Sequence, residues 1–121
     1  MAYILIVDDD WMSREVLQAY VQLGGYKVAV ASDGIQALSM IQTDPPDLVL
    51  LDVRMHGMDG YEVCRHIKND ERTRHIQVWL ITAMNSEEDH QTGRAAGANG
   101  FLNKPFDPGT ILARIQSILE A

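Results

Sequence analysis

Four short apolar runs in this chain each hand over to a polar residue. Tyr3 to Val7 leads to Asp8 and Asp9, Leu48 to Leu51 to Asp52, Val78 to Ile81 to Thr82, and Phe101-Leu102 comes just before Lys104. Runs with no polar residue in alternation read as strands buried on both faces, which is the signature of a parallel sheet covered by helices. Such a sheet can gather polar chemistry only where its strands end. The placement of these five polar residues therefore constrains fold and site together.

Between the runs the spacing turns helical. Met12, Val16, Leu17, Tyr20 and Leu23 predict a helix over Trp11 to Leu23, ended by Gly24-Gly25. Lys27 to Ala31 reads as the second strand. Ile35, Leu38 and Ile41 mark a second helix, which Asp33 opens with Gln36 in capping-box position. The break at Asp44-Pro45-Pro46-Asp47 precedes the third strand, because proline continues neither element. Asp59 with Glu62 opens a third helix carrying Tyr61, Val63, Cys64 and Ile67 and ending near Asn69. Ile76 to Ile81 is the fourth strand. Ser86, followed by Glu87, Glu88 and Asp89, caps a fourth helix that runs to Ala96-Gly97. The fifth strand spans Asn99 to Asn103. Asp107-Pro108 starts the last helix, with Ile111, Leu112, Ile115, Ile118 and Leu119 as its buried stripe. Strands that are each followed by a helix predict an α/β parallel sheet with right-handed crossovers.

Size and charge narrow the classes. A chain of 121 residues, 46% hydrophobic, supports one core and hence one domain over 1–121. A net charge of -7 argues against direct nucleic-acid binding, which needs clustered Lys and Arg. No apolar stretch approaches the roughly 20 residues of a membrane span, and Asp8 comes too early for a signal peptide, so a cytoplasmic protein is expected. Cys64 is the sole cysteine, which excludes an internal disulfide; its apolar helical position predicts a buried, inert thiol. His66, His75 and His90 read as exposed polar positions.

Placed on this frame, Asp8, Asp9, Asp52, Thr82 and Lys104 all fall at the carboxyl ends of strands. Like-charged carboxylates about 4 Å apart repel by roughly 4 kcal/mol per pair at an effective dielectric near 20, so a cation is implied. With only oxygen ligands on offer, Mg²⁺ is the first choice and Mn²⁺ the second. A carboxylate beside such a metal and a fixed ammonium suits phosphoryl transfer, in which an aspartate can itself be the nucleophile.

The stretches Ile4 to Asp10, Leu48 to Gly60, Leu80 to Ala83 and Gly97 to Phe106 together resemble the receiver domain of two-component response regulators. The resemblance covers essentially the whole chain. It implies a flavodoxin-like (βα)5 fold, a doubly wound parallel sheet of strand order 2-1-3-4-5. It further implies Asp52 as phosphoacceptor, fed by a sensor histidine kinase or histidine phosphotransfer domain. Asp8, Asp9, Asp52 and the backbone carbonyl of Arg54 would hold Mg²⁺. Thr82 and Lys104 would bind the phosphate, Phe101 would change rotamer with Thr82, and the Lys104-Pro105 peptide would be cis. Such a domain catalyses its own phosphorylation and dephosphorylation and is not a turnover enzyme on a metabolite. Its output surface would be the fourth helix, fifth strand and fifth helix, able to form a homodimer or engage a C-terminal output domain absent from this chain.

Departures from that pattern carry expectations of their own. His56 stands where the family usually has proline, so the loop after Asp52 loses a rigid φ and is expected to be more mobile. Arg54 and Met84 are expected to restrict water and lengthen the phosphorylated lifetime. His56 is disfavoured as a metal ligand, having no second nitrogen or sulfur partner nearby in sequence. Asp8-Asp9-Asp10 also fits the Asp-x-Asp of haloacid-dehalogenase-like phosphatases, with Asp8 as nucleophile; Met12 and the lack of a cap domain weigh against it. A dinucleotide-binding module is excluded, because no Gly-x-Gly-x-x-Gly follows the first strand.

Overall fold

The computed structural model describes residues 2–83 and 86–120. Strand and helix alternate throughout: β1 (Tyr3–Val7), α1 (Trp11–Leu23), β2 (Lys27–Ala31), α2 (Gly34–Thr43), β3 (Leu48–Asp52), α3 (Gly60–Asn69), β4 (Gln77–Thr82), α4 (Glu87–Ala95), β5 (Gly100–Asn103) and α5 (Pro108–Leu119). All strand pairs are parallel, in the order β2-β1-β3-β4-β5. This is the doubly wound sheet expected from the sequence, with four of the ten strand limits shifted by one residue.

The apolar runs are continuous because each strand feeds two cores. Leu5, Val7, Val49, Leu51, Val78 and Leu80 face one side and pack with residues of α2 and α3, Ala37, Ile41, Val63, Cys64 and Ile67 among them. The intervening Ile4, Ile6, Leu48, Leu50 and Ile81 face the other side, against Leu17 and Val21 of α1 and Ile111 and Ile115 of α5. Side chains alternate across a strand, so both halves of the pattern must be apolar once helices cover both faces.

Helix starts follow the capping residues. Asp10, Asp33, Asp59, Ser86 and Asp107 are the N-caps of α1 to α5, each accepting a bond from a main-chain amide of the first turn. At α2 the reciprocal half of the capping box lands one residue early: Gln36 Oε1 accepts from Ser32 N at 2.7 Å. The fold corrects the helix stripes as well. In α1 the fully buried positions are Leu17 and Val21, while Met12, Val16 and Leu23 of the predicted stripe lie open to solvent. In α2, Gly34, Ala37 and Ile41 face inward and Ile35 is 72% exposed. Periodicity fixes that a helix is amphipathic, but its rotation about its own axis is set by the elements it packs on. Cys64 is fully buried, donates to the Ala96 carbonyl at 3.5 Å, and burial pushes its thiol up to about 11, in keeping with an inert role.

One glycine fixes how closely α3 approaches the end of β3. A Cβ at Gly60 would collide with the Asp52 carbonyl oxygen and come within 2.8 Å of Val53 Cα, both backbone atoms that cannot swing aside. Gly60→Ala should therefore cost about 1–3 kcal/mol in urea unfolding through overpacking. Gly109→Ala, whose Cβ would meet nothing closer than 3.5 Å, should be near neutral; similar losses in both variants would refute the close-approach account.

Candidate functional site

The turn after β1 is held by its own polar groups. Asp8 N donates to the Ala31 carbonyl at 3.2 Å, the Asp10 amide donates to Asp8 Oδ1 at 3.0 Å, and Arg14 Nη1 donates to the Asp8 carbonyl at 3.0 Å. Asp10 spends its carboxylate on capping α1, accepting from Met12 N at 3.3 Å. Asp8 and Asp9 are thereby left for other chemistry. Asp52 closes β3 beside them, since Val7 pairs with Leu51 in the β1–β3 register.

Asp8, Asp9 and Asp52 each offer an oxygen within 4.8 Å of the others, and no other such group of three or more His, Cys, Asp or Glu occurs among the described residues. Two of the three are well buried, Asp8 at 3% and Asp52 at 7% exposure. Lys104 reaches in from beyond β5, with Nζ 3.5 Å from Asp52 Oδ1 and 3.9 Å from Asp8 Oδ2. Its main-chain amide is anchored on the Thr82 carbonyl at 3.0 Å, and the Lys104-Pro105 peptide is cis. One ammonium against three carboxylates leaves the cluster short of positive charge. The imbalance shows on Asp52, whose carboxyl is pushed up to about 6 by burial first and by the charge of Asp8 second, with Lys104 and an Arg54 amide bond pulling the other way. Hard oxygen donors with excess negative charge fit a divalent ion of the Mg²⁺ type.

Thr82 and Phe101 lie on the two strands beyond β3. Thr82 ends β4 and is 2% exposed; it shares strand parity with Leu80, and Leu80 pairs with Phe101 in the neighbouring strand. The Phe101 ring packs on α4. It stacks on His90 with centroids 4.5 Å apart at 28°, and a Cβ at Gly93 would come within 2.5 Å of its Cζ. His90 was expected to be an exposed polar residue; instead it is half-buried on this ring, with Nε2 enclosed and without a hydrogen-bond partner. Its stripe on α4 gave no apolar signal that could have announced the stack. Arg54 is exposed at the mouth of the site. Met84, paired with Arg54 in the lifetime expectation, lies outside the described residues.

The loop after Asp52 makes a long-range contact. His56 lacks the fixed φ of proline, but both its main-chain N–H and its ring Nδ1 lie 2.9 Å from Asp9 Oδ2, which ties the loop to the turn after β1. Those bonds, the amide first, hold the Asp9 carboxyl below the usual carboxylate range. His56 is not part of the three-carboxylate group.

Comparison with known proteins gives this geometry its context. The family model described as response regulator receiver domain matches residues 4–116. Response regulator PleD of Caulobacter vibrioides is 46% identical over 117 residues, covering 97% of this chain but 26% of that protein, so the chain spans about a quarter of its length. Among solved structures, chemotaxis protein CheY4 of Vibrio cholerae superposes with a TM-score of 0.94 at 35% identity, covering 98% of this chain and 99% of that one. The receiver domain of sensor histidine kinase PA1611 from Pseudomonas aeruginosa PAO1 has a TM-score of 0.91 at 30% identity, covering 99% and 98%, and carries a magnesium ion coordinated in its active site cleft. These matches leave the dehalogenase-like alternative without support. With its doubly wound sheet and the Asp8, Asp9, Asp52 and Lys104 cluster at one edge of it, the chain belongs to the response regulator receiver domain family of two-component signalling.

Proposed function

We propose that the chain is a phosphorylation-driven switch in which Asp52 accepts a phosphoryl group from a phosphohistidine on a sensor kinase or phosphotransfer domain. The observation that carries this reading is a buried carboxylate flanked by two further carboxylates and an ammonium at 3.5 Å. An Asp52 oxygen attacks phosphorus, the phosphorus–nitrogen bond of the donor breaks, and the departing imidazole takes up a proton. Asp8, Asp9, Asp52 and the Arg54 carbonyl would hold Mg²⁺, with Mn²⁺ as a substitute; the ion supplies charge neutralisation at the phosphoryl oxygens. Lys104 and Thr82 bind oxygens of the product, the lysine by charge and the hydroxyl as a donor. Movement of Thr82 toward the new group opens space that Phe101 fills by leaving His90, which changes the surface of α4, β5 and α5. That surface either dimerises or contacts an output domain encoded beyond this chain. Catalysis is confined to the domain's own aspartate.

The donor is proposed to dock on α1. Trp11, Met12 and Val16 are 59%, 58% and 44% exposed, and Met12 and Val16 line a groove with Pro105 and Phe106 that also borders Lys104. Apolar side chains this exposed, close to the reacting group, suit a protein partner.

Three outcomes test these assignments. Asp52→Asn should abolish labelling by acetyl phosphate with Mg²⁺, whereas retained label would move the acceptor elsewhere. Asp52 also sets a pH dependence. Because its pKa is raised, from 3.8 to about 6, its contribution to stability is complete below the ordinary value and is lost as pH rises through about 6. In EDTA at about pH 7.5, Asp52→Asn should be more stable than wild type by about 2 kcal/mol, and the two should agree near pH 4. Equal urea midpoints at the higher pH would show that Asp52 titrates normally. Finally, Val16→Glu should slow transfer from a phosphorylated donor domain by about tenfold, the effect of roughly 1.4 kcal/mol at an interface, and leave acetyl phosphate labelling intact. Equal slowing of both reactions would remove α1 as the docking face.

A further inference from the structure

We infer that His90 is a positioning residue for Phe101: its imidazole is the seat on which that ring rests before phosphorylation, and its enclosed, unbonded Nε2 makes the seat weaker than a hydrocarbon ring would. The inference rests on the proposed reading that Phe101 leaves α4 when Asp52 is phosphorylated.

The seat is built on one face of α4. His90 and Gly93 are three residues apart and so neighbour each other on the helix surface. The imidazole stacks on Phe101 with centroids 4.5 Å apart at 28°, and the missing Cβ at Gly93 leaves room for the ring edge. The turn that carries His90 is itself held. Ser86 caps it, the His90 amide donates to the Ser86 carbonyl at 3.1 Å, and the Tyr61 hydroxyl of α3 donates to the Asp89 carbonyl at 3.4 Å. Two effects of similar size then oppose each other. Stacking favours the seat by a factor of roughly 2 to 10. Whichever tautomer the imidazole adopts, Nε2 is a donor or an acceptor, and it is enclosed with no partner. The bond to water that it forgoes weakens the seat by about fivefold or more. Departure of Phe101, which lies over the imidazole, admits water to that nitrogen and removes the penalty. A seat so balanced yields to a modest bias from the phosphorylated site.

Titration with beryllofluoride and MgCl₂, read from main-chain amide signals, tests this on wild type and His90→Phe, and on both in a Phe101→Ala background, with thermal unfolding to confirm folding. His90→Phe keeps an aromatic face without the nitrogen and should bind beryllofluoride about tenfold more weakly than wild type. In the Phe101→Ala background the same substitution should change affinity by less than about twofold, because the ring it acts through is gone. Equal or tighter binding by His90→Phe, or the same loss with Phe101 absent, would overturn the inference. Should His90→Phe fail to fold, His90→Leu, also apolar and without the nitrogen, decides by the same comparison. Wild type that binds beryllofluoride with its Phe101 ring signals unmoved, or does not bind it at all, would instead sink the switch reading beneath the inference.

Discussion

The pairing of β1 with β3 at the centre of the sheet is the constraint on which the rest depends. The direction in which strands are added reverses here: β2 lies on the far side of β1, while β4 and β5 extend beyond β3. A crevice opens at the carboxyl ends of strands where such a sheet changes direction. The register that sets Val7 against Leu51 brings Asp8 and Asp52 side by side in that crevice. Neither strand could slip by one residue without turning its apolar faces inside out, so the two cores that stabilise the fold also fix the carboxylates.

The cost of that arrangement is electrostatic. Two carboxylates with under a tenth of their surface exposed share one lysine, and the fold accommodates the excess by raising Asp52 toward its neutral form. The same imbalance makes the site receptive to a cation. Unrelieved charge held by rigid packing is thus the source of the site's chemistry. The His56 bonds to Asp9 extend the rigidity to its most exposed member.

The least anchored part of the fold lies on the other side of β4 from the carboxylates. Phe101 is only half-buried, resting on His90 and Gly93 of α4. Apart from that glycine, α4 contributes no buried residue of its own, so few contacts hold it to the sheet. A helix so lightly anchored can shift with little loss of core packing.

Much of this was legible in the residues. The strand runs, the five helix caps and the clustering of Asp8, Asp9, Asp52, Thr82 and Lys104 at strand ends follow from local patterns, because burial on both faces and capping bonds each leave a mark within a few positions. Which face of α1 turns inward was not, and Val21 rather than Val16 fills the core. The stack of His90 on Phe101 and the bond from His56 to Asp9 were equally invisible. The sequence by itself determined the alternating fold and the membership of the acidic site, since these rest on periodicity and residue type. Only the tertiary structure decided helix rotation, the seat of Phe101 and the tie between the two loops, because each is a contact between residues whose separation in sequence carries no periodic signal.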